Sequence, residues 1–203
     1  MLKLKELHTQ FGVEIIDIDL SAALEPNDFS QIELALERYS LVLFRNQVFD
    51  DDSQVAFSRR FGELEYDHVA YGQERKIRYI GCIGNIDEHG KQMRANNKRV
   101  VFSTGNEMWH SDSSFRPVPT RFSISYAYEV TPEGGELEFV STRSAYARLP
   151  DKTKDKIENL VAIHDYVYSR SKVGPNAVTP SHAASLPPAP QRLVRQNPVT
   201  GEK

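Results

Sequence analysis

The segment MWHSDSSF at residues 108–115 sets a histidine, His110, and an aspartate, Asp112, two positions apart. In an extended chain, residues i and i+2 face the same side, about 6.6 Å apart along the strand. Both side chains can then reach one metal ion through bonds of about 2 Å, while Trp109 and Ser111 point away. A neutral imidazole and a hard carboxylate are two-thirds of the two-histidine, one-carboxylate set of non-haem iron oxygenases. That set leaves three adjacent positions open, two for a chelating 2-oxo acid and one for dioxygen. Spacing alone does not single out this chemistry. Six histidines and twelve aspartates in 203 residues predict about 0.35 chance occurrences of His-x-Asp, and the bland alternative is a polar strand end.

The elements that must position the pair can be read from periodicity. Residues 12–20 (GVEIIDIDL) alternate apolar and polar side chains as a half-buried strand does. Pro26 and Asn27 precede DFSQIELALERY, where Phe29, Ile32, Leu36 and Tyr39 recur at helical spacing. LVLFR at 41–45 reads as a buried strand, and DDDSQVAFSRRFGEL as a second helix with Asp51 or Asp52 as cap and Gly62 as stop. IRYIGCI at 77–83 is strand-like and leads into a polar loop, NIDEHGKQMRANNKR. RFSISYAYEV at 121–130, the turn TPEGG and ELEFVS predict a hairpin. Pro150 and Asp151 open a helix to about Leu160, and VAIHDYVYS returns to strand-like alternation. Six prolines after residue 171 predict a Pro-rich loop at 171–190, with a short strand at 191–195. An α/β opening followed by β-rich sequence gives a mainly β domain with flanking helices, a sandwich or a barrel.

Composition bounds the setting. At 203 residues, with 39% hydrophobic and 26% charged residues, the chain suits one globular domain with a substantial core. A net charge of −3 gives no reason to expect nucleic acid or an anionic membrane as partner. The single cysteine, Cys82, excludes an internal disulfide and suits a reducing cytoplasm. No apolar run approaches the roughly 20 residues that cross a bilayer.

The sequence around the pair carries more information than its spacing. Gly105-Asn106-x-x-Trp109-His110-Ser111-Asp112-Ser113-Ser114-Phe115, then Arg121, then Pro132-x-Gly134-Gly135, resembles the taurine and phenoxyacetate-herbicide dioxygenase family. Arg59-Arg60-Phe61-Gly62-Glu63-Leu64 upstream and Ala145-Tyr146-x-x-Leu149-Pro150 downstream are similar to the family too, as are VEIIDIDL and LVLFR near the start. The resemblance implies a double-stranded β-helix (jelly-roll) and an iron(II)- and 2-oxoglutarate-dependent dioxygenase. Such an enzyme hydroxylates a small, usually anionic, organic substrate while decarboxylating 2-oxoglutarate to succinate. It implies His110 and Asp112 as the first two iron ligands and Asn106 as a polar residue lining the substrate and co-substrate pocket; a turn asparagine is the plain alternative. Trp109 and Phe115 read as core packing. A homo-oligomer, a dimer included, is compatible with all of this.

Two departures qualify the resemblance. Leu137 stands where the family usually has a threonine that helps hold the 2-oxoglutarate carboxylate, and leucine has no hydrogen to donate. The family's distal histidine and its 2-oxoglutarate-binding arginine lie beyond VTGEK, so the expectation is one oxygenase domain over residues 1–203, incomplete at its C-terminus and truncated before the last strands. Arg192 and Arg195 read as exposed strand residues. His164, 52 residues after Asp112, is a weak substitute for the distal histidine, and His182 a weaker one. His8 and His89 have no supporting context, while His68 falls where the family often places pocket residues. Lys91, Arg94, Lys98 and Arg99 could draw an anionic substrate inward, or form a solvated loop. An inactive truncated remnant, a metal-binding module of the same fold and a zinc-dependent hydrolase remain the alternatives to a working oxygenase.

Overall fold

The computed structural model describes residues 1–65, 79–87, 89–174 and 177–203. His68 and the first two residues of the strand expected at 77–83 lie outside the described residues. The opening half contains β1 (Lys3–Glu6), β2 (Val13–Ile16), α1 (Pro26–Tyr39), β3 (Val42–Leu43), α2 (Asp51–Arg59) and α3 (Lys98–Ser103). A 3-10 turn (Thr104–Glu107) continues α3, and then follow α4 (Thr142–Ala147), α5 (Asp151–Ile157), β4 (Val161–His164), α6 (Tyr166–Ser171), α7 (Pro180–Ser185) and β5 (Ala189–Arg192). The chain forms two compact units, one of residues 1–60, 125–160 and 193–203, the other of residues 61–124 and 161–192.

In the first unit β2 pairs antiparallel with β1, Leu4 opposite Ile15, and parallel with β3, Val13 opposite Val42. Against this small sheet α1 turns Phe29, Ile32 and Ala35, one helical face at three-residue steps. Ile32 and Val13 are fully buried, each burial stabilising by about 1.5–3 kcal/mol. Leu36 and Tyr39, expected on that face, are half-buried. Pro26 starts α1 where its missing N–H costs nothing. The cap of α2 is Asp50, one residue before the expected Asp51 or Asp52: its carboxylate accepts from the Ser53 N–H at 2.8 Å. Phe57 on α2 meets the rings of Phe29, Phe44 and Phe49 edge-on at 6.0–6.4 Å.

In the second unit β4 and β5 pair antiparallel, His164 opposite Ala189. Three helices begin where the sequence predicts loop or strand, each because a polar side chain caps it. Asn97 accepts from the Arg99 N–H at 2.9 Å and starts α3 inside the expected polar loop. Asp165 accepts from the Tyr168 N–H at 3.0 Å and turns the second half of VAIHDYVYS into α6. Thr179 accepts from the His182 N–H at 3.3 Å, with Pro180 at the first position, and places α7 within the segment read as a Pro-rich loop.

The expected hairpin differs most. Among the described residues, 121–130 and 136–141 hold no strand ladder. Residues 121–127 nonetheless keep the pleat: Phe122, Ile124 and Tyr126 are half-buried while Arg121, Ser123, Ser125 and Ala127 are exposed. Alternation needs only an extended backbone, whereas a strand needs a partner for its N–H and C=O groups. The turn between the two segments forms, with Gly134 and Gly135 both left-handed at φ 75° and 74°. The mainly β expectation is therefore met in part, and among the described residues helix exceeds strand. No helix among them is long and apolar enough to cross a membrane.

Candidate metal centre

After the 3-10 turn the chain straightens at Met108 and runs without regular structure through Ser111. Two side chains on the same side of this stretch converge. His110 Nε2 lies 3.4 Å from Asp112 Oδ1, with both side chains about half exposed, 47% and 56%. His110 Nδ1 lies 2.6 Å from the Met108 carbonyl oxygen. A carbonyl only accepts, so Nδ1 carries the hydrogen, which leaves Nε2, on the Asp112 side, as the nitrogen that can ligate a metal. The other oxygen, Asp112 Oδ2, accepts from Ser123 Oγ at 2.7 Å. Two lone-pair donors 3.4 Å apart, each fixed from behind, can both reach a cation at the roughly 2.0–2.2 Å bonds of imidazole and carboxylate ligands. The donor set thus fits a divalent metal.

The turn after Asp112 is held separately. Ser113, immediately following, is left-handed at φ 50°. Its hydroxyl donates to Glu65 Oε1 at 2.8 Å, Arg116 Nε donates to the same oxygen at 2.6 Å, and the Thr120 hydroxyl donates to Oε2. Burial pushes the Glu65 carboxyl up, but the hydrogen bonds from Thr120 and Ser113 and the Arg116 charge outweigh it and hold the group below its ordinary range.

The other expected residues fall out as follows. Asn106 is half-buried in the 3-10 turn, and its amide oxygen accepts from Arg170 Nη2 at 3.0 Å. Phe115 packs on Tyr166 at 4.7 Å, as core packing predicts. Trp109 does not: it is 66% exposed, because the pleat that turns His110 one way turns its neighbour to solvent. No group of three His, Cys, Asp or Glu that could hold a metal occurs among the described residues, so neither His164 on β4 nor His182 on α7 joins the pair. His182 meets the Tyr166 ring at a tilt, centroids 5.2 Å apart, where burial, with the Arg170 charge, pushes its imidazole below the ordinary value. Lys91, Arg94 and Lys98 are exposed, and Arg99 donates to the Cys82 carbonyl. Arg192 and Arg195 are exposed as expected, and Leu137 lies exposed in the first unit. Sequence reasoning missed Ser123, Glu65 and Arg170. Only Glu65 carried a signal, standing directly after RRFGEL.

Comparison with known proteins gives concordant matches. The sequence model of the family described as "Taurine catabolism dioxygenase TauD, TfdA family" matches residues 3–203. The chain is 34% identical over 200 residues to the alpha-ketoglutarate-dependent 2,4-dichlorophenoxyacetate dioxygenase of Cupriavidus pinatubonensis, a match covering 97% of this chain and 70% of that protein. The protein of the same description from a Burkholderia species is 32% identical, with 97% and 67% covered. Among solved structures, AAD-2 in complex with Mn(II) and N-oxalylglycine superposes with a TM-score of 0.87 at 35% identity, over 100% of this chain and 69% of that one. A putative alpha-ketoglutarate dependent 2,4-D dioxygenase from Burkholderia xenovorans superposes at 0.77 with 28% identity, over 100% and 67%. The chain spans about two thirds of the length of these relatives.

Proposed function

The chain belongs to the taurine catabolism dioxygenase TauD, TfdA family, and on that premise we propose that His110 and Asp112 are two ligands of its iron(II) and that Asn106 lines the pocket of 2-oxoglutarate or of the substrate. The dioxygenases of this family use iron(II), 2-oxoglutarate and dioxygen on small-molecule substrates. When bound, iron(II) supplies the redox chemistry that couples decarboxylation of 2-oxoglutarate to succinate with hydroxylation of the substrate by dioxygen. The substrate class we assign is a small organic anion, because the relatives are named for 2,4-dichlorophenoxyacetate and (S)-phenoxypropionate.

The observation that carries the reading is the 3.4 Å approach of His110 Nε2 to Asp112 Oδ1. The chain's own residues prepare it: the Met108 carbonyl selects the tautomer and Ser123 turns one carboxylate oxygen away. The architecture we assign is a jelly-roll of which this chain spans about two thirds, supported by the solved neighbours and by the alternating burial of residues 121–127. The unbroken family match supports one oxygenase domain, and lone Cys82 suits a cytoplasmic setting. That only two donors meet among the described residues favours one second reading, a metal-binding module that does not turn over.

Mn(II) titration, with iron's oxidation thereby avoided, tests the site. The unmodified chain should bind Mn(II) and then N-oxalylglycine, and His110→Ala and Asp112→Ala should each weaken Mn(II) binding by more than roughly tenfold. Equal Mn(II) affinity in either variant would remove that residue from the site. Release of succinate from 2-oxoglutarate separates the oxygenase from the silent module.

A further inference from the structure

Arg170, on α6, spends its guanidinium on one short stretch of chain, residues 102–106. Its central carbon lies 4.6 Å from the Phe102 ring centroid. Nη1 donates to the Phe102 carbonyl at 3.4 Å and Nη2 to the Asn106 amide oxygen at 3.0 Å. On another side the guanidinium lies 5.5 Å from the ring centre of Tyr166, a residue only 3% exposed. Gly105 admits the arginine: a Cβ there would stand 2.3 Å from Nη1 and 2.9 Å from Val173 Cγ2. Nε is buried without a hydrogen-bond partner among the described residues, so nothing on that edge draws the group away. The Gly105-Asn106 pair is thus a receptor for one arginine, glycine giving room and asparagine giving an acceptor.

The consequence lies on the far side of Asn106. A guanidinium has only hydrogens to donate, so the amide must face it with its oxygen, and the NH2 group must face the other way. Whatever else meets Asn106 meets two donors, backed by a positive charge that polarises the amide and strengthens them. A carboxylate, which only accepts, fits that surface. We propose that Arg170 is a positioning residue for ligand binding: by locking the Asn106 amide oxygen it fixes the NH2 group as a donor to a carboxylate oxygen. The carboxylate is that of 2-oxoglutarate or that of the anionic substrate. The inference rests on Asn106 lining the pocket.

The full 203-residue chain loaded with Mn(II) permits a test without turnover. N-oxalylglycine and 2,4-dichlorophenoxyacetate are titrated calorimetrically into the unmodified chain, Arg170→Ala, Asn106→Ala, the double variant and Gly105→Ala. Arg170→Ala should weaken one of the two probes about tenfold and leave Mn(II) affinity unchanged. The probe that loses affinity identifies the carboxylate. Because Arg170 acts through Asn106, the double variant should bind no more weakly than Asn106→Ala alone. Gly105→Ala removes no polar group but displaces the arginine, and should reproduce the Arg170→Ala loss. It also carries the comparison, with Arg170→Lys, should Arg170→Ala lose its circular-dichroism signature of folding. Unchanged affinity for both probes in a folded variant, additive losses in the double variant, or a parallel fall in Mn(II) affinity would overturn the proposal. An unmodified chain that binds neither probe overturns the reading of the site as well, whereas binding that survives displacement of Arg170 overturns only this inference.

Discussion

A carboxylate that ligates through one oxygen is better aimed when its other oxygen is occupied. Ser123 does this for Asp112, donating to Oδ2 at 2.7 Å and leaving Oδ1 facing His110. Ser123→Ala should therefore weaken Mn(II) binding by roughly 10-fold while leaving the thermal midpoint nearly unchanged, since the serine is exposed. Electron paramagnetic resonance titration of free Mn(II) reads the affinity directly. An affinity equal to that of the unmodified chain would show that the carboxylate aims itself. The metal pair was legible in the sequence because its geometry is local, two residues on one side of an extended chain. Its supports were not. Ser123 reaches back 11 residues, Glu65 forward 48 to Ser113, and Arg170 back 64 to Asn106. Nothing in a spacing rule connects positions so far apart, and an exposed serine or a half-buried arginine looks like ordinary surface until the fold closes.

The turn from Ser113 to Thr120 follows the pair directly along the chain, and Glu65 is its staple. Replacing it by glutamine keeps the size but removes the charge that Arg116 and two hydroxyls share. Glu65→Gln should cost about 1–2 kcal/mol of stability at pH 7, a figure reduced for the partial exposure of the group. The pH dependence has a definite sign. The folded carboxyl titrates below the ordinary glutamate value of about 4.5, so the unfolded chain takes up the proton first as pH falls. The contribution is complete above about 4.5 and is lost as pH falls through the lowered folded value. Urea midpoints of the two chains should thus converge progressively below that point, and a gap that stays constant with pH would contradict the assignment. Elements defined by their own residues were readable in advance. The α1 face of Phe29 and Ile32 follows from periodicity, and the start of α5 follows from Pro150 and Asp151. Elements decided by a single hydrogen bond or by a partner were not. Asn97, Asp165 and Thr179 each chose helix over loop or strand with one side-chain oxygen, and residues 121–130 form no ladder among the described residues.

At the scale of the whole molecule, one segment combines the two features that folded proteins keep out of water. Residues 136–140 form no backbone ladder among the described residues, and Leu137, Phe139 and Val140 are 77%, 54% and 59% exposed. Such a segment offers backbone N–H and C=O groups outside any ladder among the described residues, together with apolar side chains, which is the template for pairing with another chain. Glu136 and Glu138 alternate with the apolar residues and supply a restraint, a mutual repulsion between copies that salt screens within about 10 Å at 0.1 M. The 203-residue chain should therefore self-associate with rising concentration, and more so as salt is added. The opposite salt response is expected of an interface held by ion pairs, so the sign decides between them. Leu137→Lys with Phe139→Lys, two residues on one face of the extended stretch, should lower the association measured by sedimentation velocity. Association that persists in the double variant, or that weakens as salt rises, would place the contact elsewhere on the surface.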